Sequence, residues 1–178
     1  LDARGKVLKA EFHDGVIRSA ARMSYQQVQA IVDGDTGLRG RFAALVPLFE
    51  RMDQLAKLMR QRRHDRGSLD FDLPEPKLVL DAQGEMTGIV ASARLDSMRA
   101  IEEYMLAANE AVAERLAAAG KGALFRVHEA PDPQRVEEFC ELAASFGYRV
   151  PTNLEEIRPE DFQRVLRQIE GKPEERLV

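Results

Sequence analysis

One cysteine, three histidines and no long apolar run mark what this 178-residue sequence does without. The lone Cys140 cannot close an internal disulfide. It falls among helical core positions, so it reads as a buried thiol, and the cytoplasm is the expected compartment. No stretch reaches the roughly 18–20 apolar residues that a membrane helix needs, and no basic start leads into the apolar core of a signal peptide. His13, His64 and His128 are far apart, and no Cys/His spacing suits zinc. No glycine-rich phosphate loop follows a strand pattern, and no Ser/His/Asp or Cys/His arrangement stands out. Repeats and low-complexity tracts are missing too.

What is present is an ordinary globular composition, 44% hydrophobic, with length enough for one domain and a real core. Leu1 opens the sequence and Val178 closes it just after a charged run, so a piece of a longer protein is expected. The net charge of −4 is unevenly spread: residues 39–66 carry 8 Lys and Arg against 3 Asp and Glu, whereas residues 67–133 carry 6 against 12. A mildly acidic chain with one basic segment is no general nucleic-acid binder, but it fits one wall of a larger site.

Periodicity and punctuation predict a mixed chain of about five helices and five or six short strands. Its expected class is α/β (α+β), a single domain of helices packed on a mainly antiparallel sheet. Residues 6–22 read as two strands around an Asp14-Gly15 turn. Ser24 with Gln27 makes a capping box, so a helix starts at Tyr25 and stops at Asp33-Gly34-Asp35. A long helix starts near Val46, with Pro47 in its first turn, and carries Phe49, Met52, Leu55 and Met59 on one stripe that Phe42 and Leu45 continue. It ends in the run Arg60 to Arg66 followed by Gly67, since cations and then glycine suit a helix C-terminus. Leu69–Leu73 reads as a short strand. Lys77–Leu80 and Met86–Ala91 form a hairpin around Gln83-Gly84. Asp96 caps a helix over about 97–118, striped by Met98, Ile101, Met105, Ala108, Val112 and Leu116. Residues 123–128 read as a buried strand. Asp132-Pro133 and Pro159 open two further helices, which end near Gly147 and Gly171.

Several residues invite a functional reading. Glu102 and Asn109 lie two helical turns apart on one face beside Met105, where a carboxylate and an amide need partners. Spacing alone favours a buried structural network or a solvated helix edge. Tyr25 opens a capped helix, where its ring fits the core and its hydroxyl could reach a ribose or phosphate. Phe71 and its flanking Asp70 and Asp72 point to opposite faces of a strand, which favours burial of the ring. Two carboxylates are too few for a two-metal site. The Arg60 to Arg66 run is either a solvated helix end or a phosphate contact.

Four segments in order resemble the catalytic (RNB) domain of the ribonuclease II/ribonuclease R family over residues 5–175. Gly15 to Tyr25 resembles the family's VIRSxARLTY stretch. Arg66 to Phe71 resembles RGxLxF, Ile101 to Asn109 resembles IEExMxxAN, and Ala123 to Pro131 resembles xLxRxHxxP. The resemblance implies a 3′→5′ exoribonuclease that hydrolyses single-stranded RNA to nucleoside 5′-monophosphates with two divalent metals, usually magnesium. It implies that Tyr25 contacts the RNA near its 3′ end, that Glu102 recognises ribose, and that Phe71 stacks on terminal bases. It also implies that the catalytic aspartates belong to a DxxxxxDxDD motif ahead of the VIRS-like stretch, and no such motif occurs here. The family's catalytic arginine would follow Val178. The expectation is therefore RNA-channel residues with no catalytic and no metal-binding residue in this chain, which is inactive by itself. The alternative is a non-catalytic RNA-binding or scaffolding relative, and a helical interaction module unrelated to RNA is a third.

Overall fold

The computed structural model describes residues 1–69, 76–92, 94–120, 122–127, 129–150 and 157–176. Six α-helices and one antiparallel hairpin make up its regular structure, an α+β chain as expected. Two compact units divide it: residues 1–61 with 72–123, and residues 62–71 with 124–178.

Local chemistry accounts for most element boundaries in the first unit. Helix α1 (Tyr25–Val32) begins at the foreseen capping box: Ser24 Oγ accepts from Gln27 N, and Gln27 Oε1 accepts from Ser24 N. Asp35 caps the short helix α2 (Thr36–Arg41) by accepting from Leu38 N at 2.7 Å. Helix α3 (Val46–Asp65) has Pro47 in its first turn, where a missing N–H does no harm. Ile31, Val46 and Phe49 form the buried centre here, with Val28, Leu45 and Met52 packed against them. Arg39 ties the three helices together by donating to the Ile31 carbonyl at 3.0 Å and to Glu50 at 2.7 Å.

Helix α4 (Asp96–Ala118) packs on α1. Its N-cap is Leu95, which has no capping side chain; Asp96 is the first helical residue. Gln29 of α1 supplies the cap instead, its Oε1 accepting from Ser97 N at 3.0 Å. Asp96 is thereby free to pair with Arg60 at 3.3 Å. The hairpin of β1 (Pro76–Leu80) and β2 (Met86–Ala91) pairs Leu78 with Ile89. Asp81 holds its turn by accepting from the N–H groups of Gln83 and Glu85.

In the second unit, Asp132 accepts from Gln134 N and starts α5 (Pro133–Ser145). Helix α6 (Pro159–Ile169) starts at a proline, as foreseen, and a 3₁₀ turn follows at Pro173–Arg176. Ala143, Tyr148, Val165 and Ile169 form the core, with Phe139 packed on it. The last turn of α3 ends here in a Schellman pair: Gly67 N donates to the His64 carbonyl and Ser68 N to the Arg63 carbonyl. Buried Gln163 clamps this turn, its Nε2 reaching the carbonyls of His64 at 2.9 Å and Ser68 at 3.2 Å.

Several expectations fail. Residues 6–22 form no strand: they carry no regular structure, and Val16 and Ile17 are fully exposed. Residues 123–127 form none either, and Leu124 is bare. Alternating apolar residues carry strand propensity, but a strand exists only where a second backbone completes its hydrogen bonds. The expected five or six strands are two among the described residues. The Leu69–Leu73 strand falls almost wholly outside the described residues. Cys140 is half-buried rather than buried. Its thiol pKa is raised by partial desolvation and by nearby Glu137, which favours the protonated form.

Candidate nucleic-acid interface

The hydroxyl of Ser97, in the first turn of α4, donates to the Tyr25 carbonyl at 2.9 Å, while its backbone N–H reaches Gln29. The N-terminal turns of α1 and α4 are thus fastened to each other at two points. Tyr25 opens one of these helices, and Glu102 sits in the second turn of the other. The structure therefore brings these two expected residues onto adjoining elements. Phe71 lies outside the described residues, as do Asp70 and Asp72.

Tyr25 is 44% exposed, so the core does not claim its ring. It lines a cavity of about 330 Å³ with Met23, Phe49 and Ile101 on its apolar side and Gln29, Asp53 and Ser97 on its polar side. Glu102 follows Ile101 round the helix. It is half-exposed, and its Oε2 accepts from Arg94 at 3.1 Å. A carboxylate engaged through one oxygen keeps acceptor capacity for a hydroxyl donor on the other. Asn109 is exposed, two turns along.

Sequence spacing pointed to the wrong buried face of α4. The residues it buries are Ala100 and Glu103, while Met105, Val112 and Leu116 stand exposed. Glu103 is only 4% exposed and shares a small cavity wall with Lys57, Arg60 and Arg99. Buried carboxylates require such cationic company, and the acidic pair Glu102-Glu103 gave no sign which of the two would be enclosed. The basic run also proves partly structural. Arg60 pairs with Asp96, and Arg63 donates to Ser68 Oγ at 2.7 Å.

Tyr104, on the buried side next to Glu103, donates its hydroxyl to the Met52 carbonyl. Desolvation, and then the negative charge of Asp53, raise its pKa above 10.0. The folded state favours the protonated phenol, so this contribution to stability is intact below pH 10.0. It is lost as pH rises through the higher folded-state value. Urea midpoints should fall over that alkaline window, and Tyr104→Phe should remove this part of the fall. An identical alkaline slope in Tyr104→Phe would refute the assignment.

Among the described residues, no group of three or more His, Cys, Asp or Glu side chains could hold a metal ion. Among the same residues no helix is long and apolar enough to cross a membrane.

Residues 1–178 match the RNB domain family. Ribonuclease R of Aquifex aeolicus is 39% identical over 99% of this chain and 25% of its own length. Ribonuclease R of Vibrio cholerae is 33% identical over 98% of this chain and 21% of its own. The chain thus spans about a quarter of the length of these curated relatives. Among solved structures, Mycoplasma genitalium RNase R in complex with ribose methylated single-stranded RNA superposes with a TM-score of 0.75 at 21% identity. That likeness covers 86% of this chain and 24% of the other, and it concerns the fold. The same enzyme in complex with double-stranded RNA gives a TM-score of 0.65 at 22% identity, over 71% of this chain and 22% of the other.

Proposed function

This chain belongs to the RNB domain family, and on that premise we propose that it supplies part of the RNA channel of a 3′→5′ exoribonuclease acting on single-stranded RNA. The observation that carries the reading is the double fastening of α1 to α4 through Ser97, which sets Tyr25 and Glu102 on adjoining helix starts beside a cleft. Tyr25 offers a half-exposed ring on which a base can stack. Glu102 offers a carboxylate that accepts from a ribose 2′-hydroxyl and finds no donor on deoxyribose. Phe71 would add a second stacking surface.

Catalysis in the complete enzyme would use magnesium held by residues other than those described here. Divalent metals activate water and stabilise attacking and leaving oxygens. No DxxxxxDxDD motif lies within these 178 residues, so the chain by itself binds RNA without cutting it.

Incubating the purified chain with magnesium and an end-labelled single-stranded RNA is expected to leave the RNA intact. Progressive shortening from the 3′ end would overturn the inactive reading. Fluorescence anisotropy should show binding that weakens as salt rises, because phosphate contacts release counterions. Absence of binding at low salt would overturn the channel reading.

A further inference from the structure

Arg94 stands in the short link between β2 and α4, and its Nη2 donates to Glu102 Oε2 at 3.1 Å. The two side chains are 31% and 43% exposed. No other partner of the Glu102 carboxylate is found among the described residues. One oxygen is therefore fixed, and the other keeps its lone pairs for an incoming donor.

Charge gives this pairing a purpose. Residues 67–133 hold 12 acidic against 6 basic side chains, and Glu102 lies within that acidic stretch. A bare carboxylate there repels the phosphates of any nucleic acid that approaches. A guanidinium in direct contact neutralises the site while leaving an acceptor in place. The same contact restricts the side-chain rotamer of Glu102, which otherwise has several torsions to order on binding.

We propose that Arg94 is a positioning residue for ribose recognition. It holds Glu102 oriented so that its second oxygen accepts from the 2′-hydroxyl, and it offsets the charge that would keep RNA away. This rests on the reading of Glu102 given above. Exposed ion pairs contribute little to folding stability, so the melting temperature of an Arg94 variant, read beside its affinities, separates recognition from packing.

The test measures affinity of the purified chain for a short single-stranded RNA, for its deoxy counterpart and for its 2′-O-methyl counterpart. The last two lack the hydroxyl donor. A hydrogen bond to a charged acceptor is worth at least about tenfold in affinity. The intact chain is thus expected to prefer RNA over both analogues by about that factor, and Glu102→Ala is expected to abolish the preference. Arg94→Ala should lose most of the preference at an unchanged melting temperature. Combined with Glu102→Ala it should lose no more, since both act on one contact. Arg94→Lys, which still supplies one charged donor, should restore most of it.

Equal weakening of RNA and DNA binding by Arg94→Ala would make Arg94 an ordinary phosphate contact. That result would overturn the proposal while leaving the Glu102 reading in place. An RNA preference untouched by Glu102→Ala would overturn both.

Discussion

Truncating Ile31 to alanine is expected to destabilise the first unit by about 2–5 kcal/mol, the range for removing a fully buried branched side chain and leaving a cavity. Ile31 is completely enclosed, against Val46 and Phe49. It anchors the C-terminal end of α1 to α3, while the other end of α1 carries Tyr25 and meets α4 through Ser97. The variant should therefore lose RNA binding as well as stability. Urea unfolding followed by circular dichroism checks the first effect and anisotropy the second. Tyr25→Ala provides the contrast. Its ring is 44% exposed, so truncation should change stability by no more than about 1 kcal/mol and weaken RNA binding disproportionately. A large loss of stability in Tyr25→Ala would return that ring to a packing role, and an unaltered midpoint in Ile31→Ala would remove the assigned core.

The second large effect is expected at Gly67, in the other unit. Its φ is +89°, and a Cβ added there would lie 3.0 Å from Pro159 Cβ and 3.0 Å from the Glu160 side chain. Left-handed backbone strain in a non-glycine residue is about 1–2 kcal/mol, and forced overpacking adds about 1–3. The contact falls on the proline that opens α6, so the ring has little freedom to yield. Gly67→Ala should accordingly destabilise by about 2–5 kcal/mol. Gly84, at φ +86° in the hairpin turn, has open space around it. Gly84→Ala therefore carries only the backbone part, and the difference between the two variants isolates the contact with Pro159 and Glu160. Equal losses in both would show that this contact contributes nothing.

The helix starts were legible because their determinants sit within three or four residues of one another. Ser24 with Gln27, Asp132 before Pro133 and Pro159 each satisfy orphan amide groups, or dispense with them, through local chemistry. The hairpin at 76–91 was legible for the same reason, since Asp81 and Gly84 close it internally. The segments at 6–22 and 123–127 were misread because alternation reports only a side chain's preference for a pleated surface. It carries no information on whether a neighbouring backbone is there to pair.

The candidate site divides in the same way. The sequence alone determined that Tyr25 would open a capped helix and that Glu102 would ride on a long one, because both follow from periodicity and capping. It also determined the family, through short motifs in a fixed order. Only the tertiary structure decided that Gln29 would cap α4, that Asp96 would be released to Arg60, that Glu103 rather than its neighbour would be enclosed, and that Arg94 would hold Glu102. Each of those outcomes depends on how one helix is rotated against another. That rotation is set by the summed packing of residues distant in sequence, which no local pattern records.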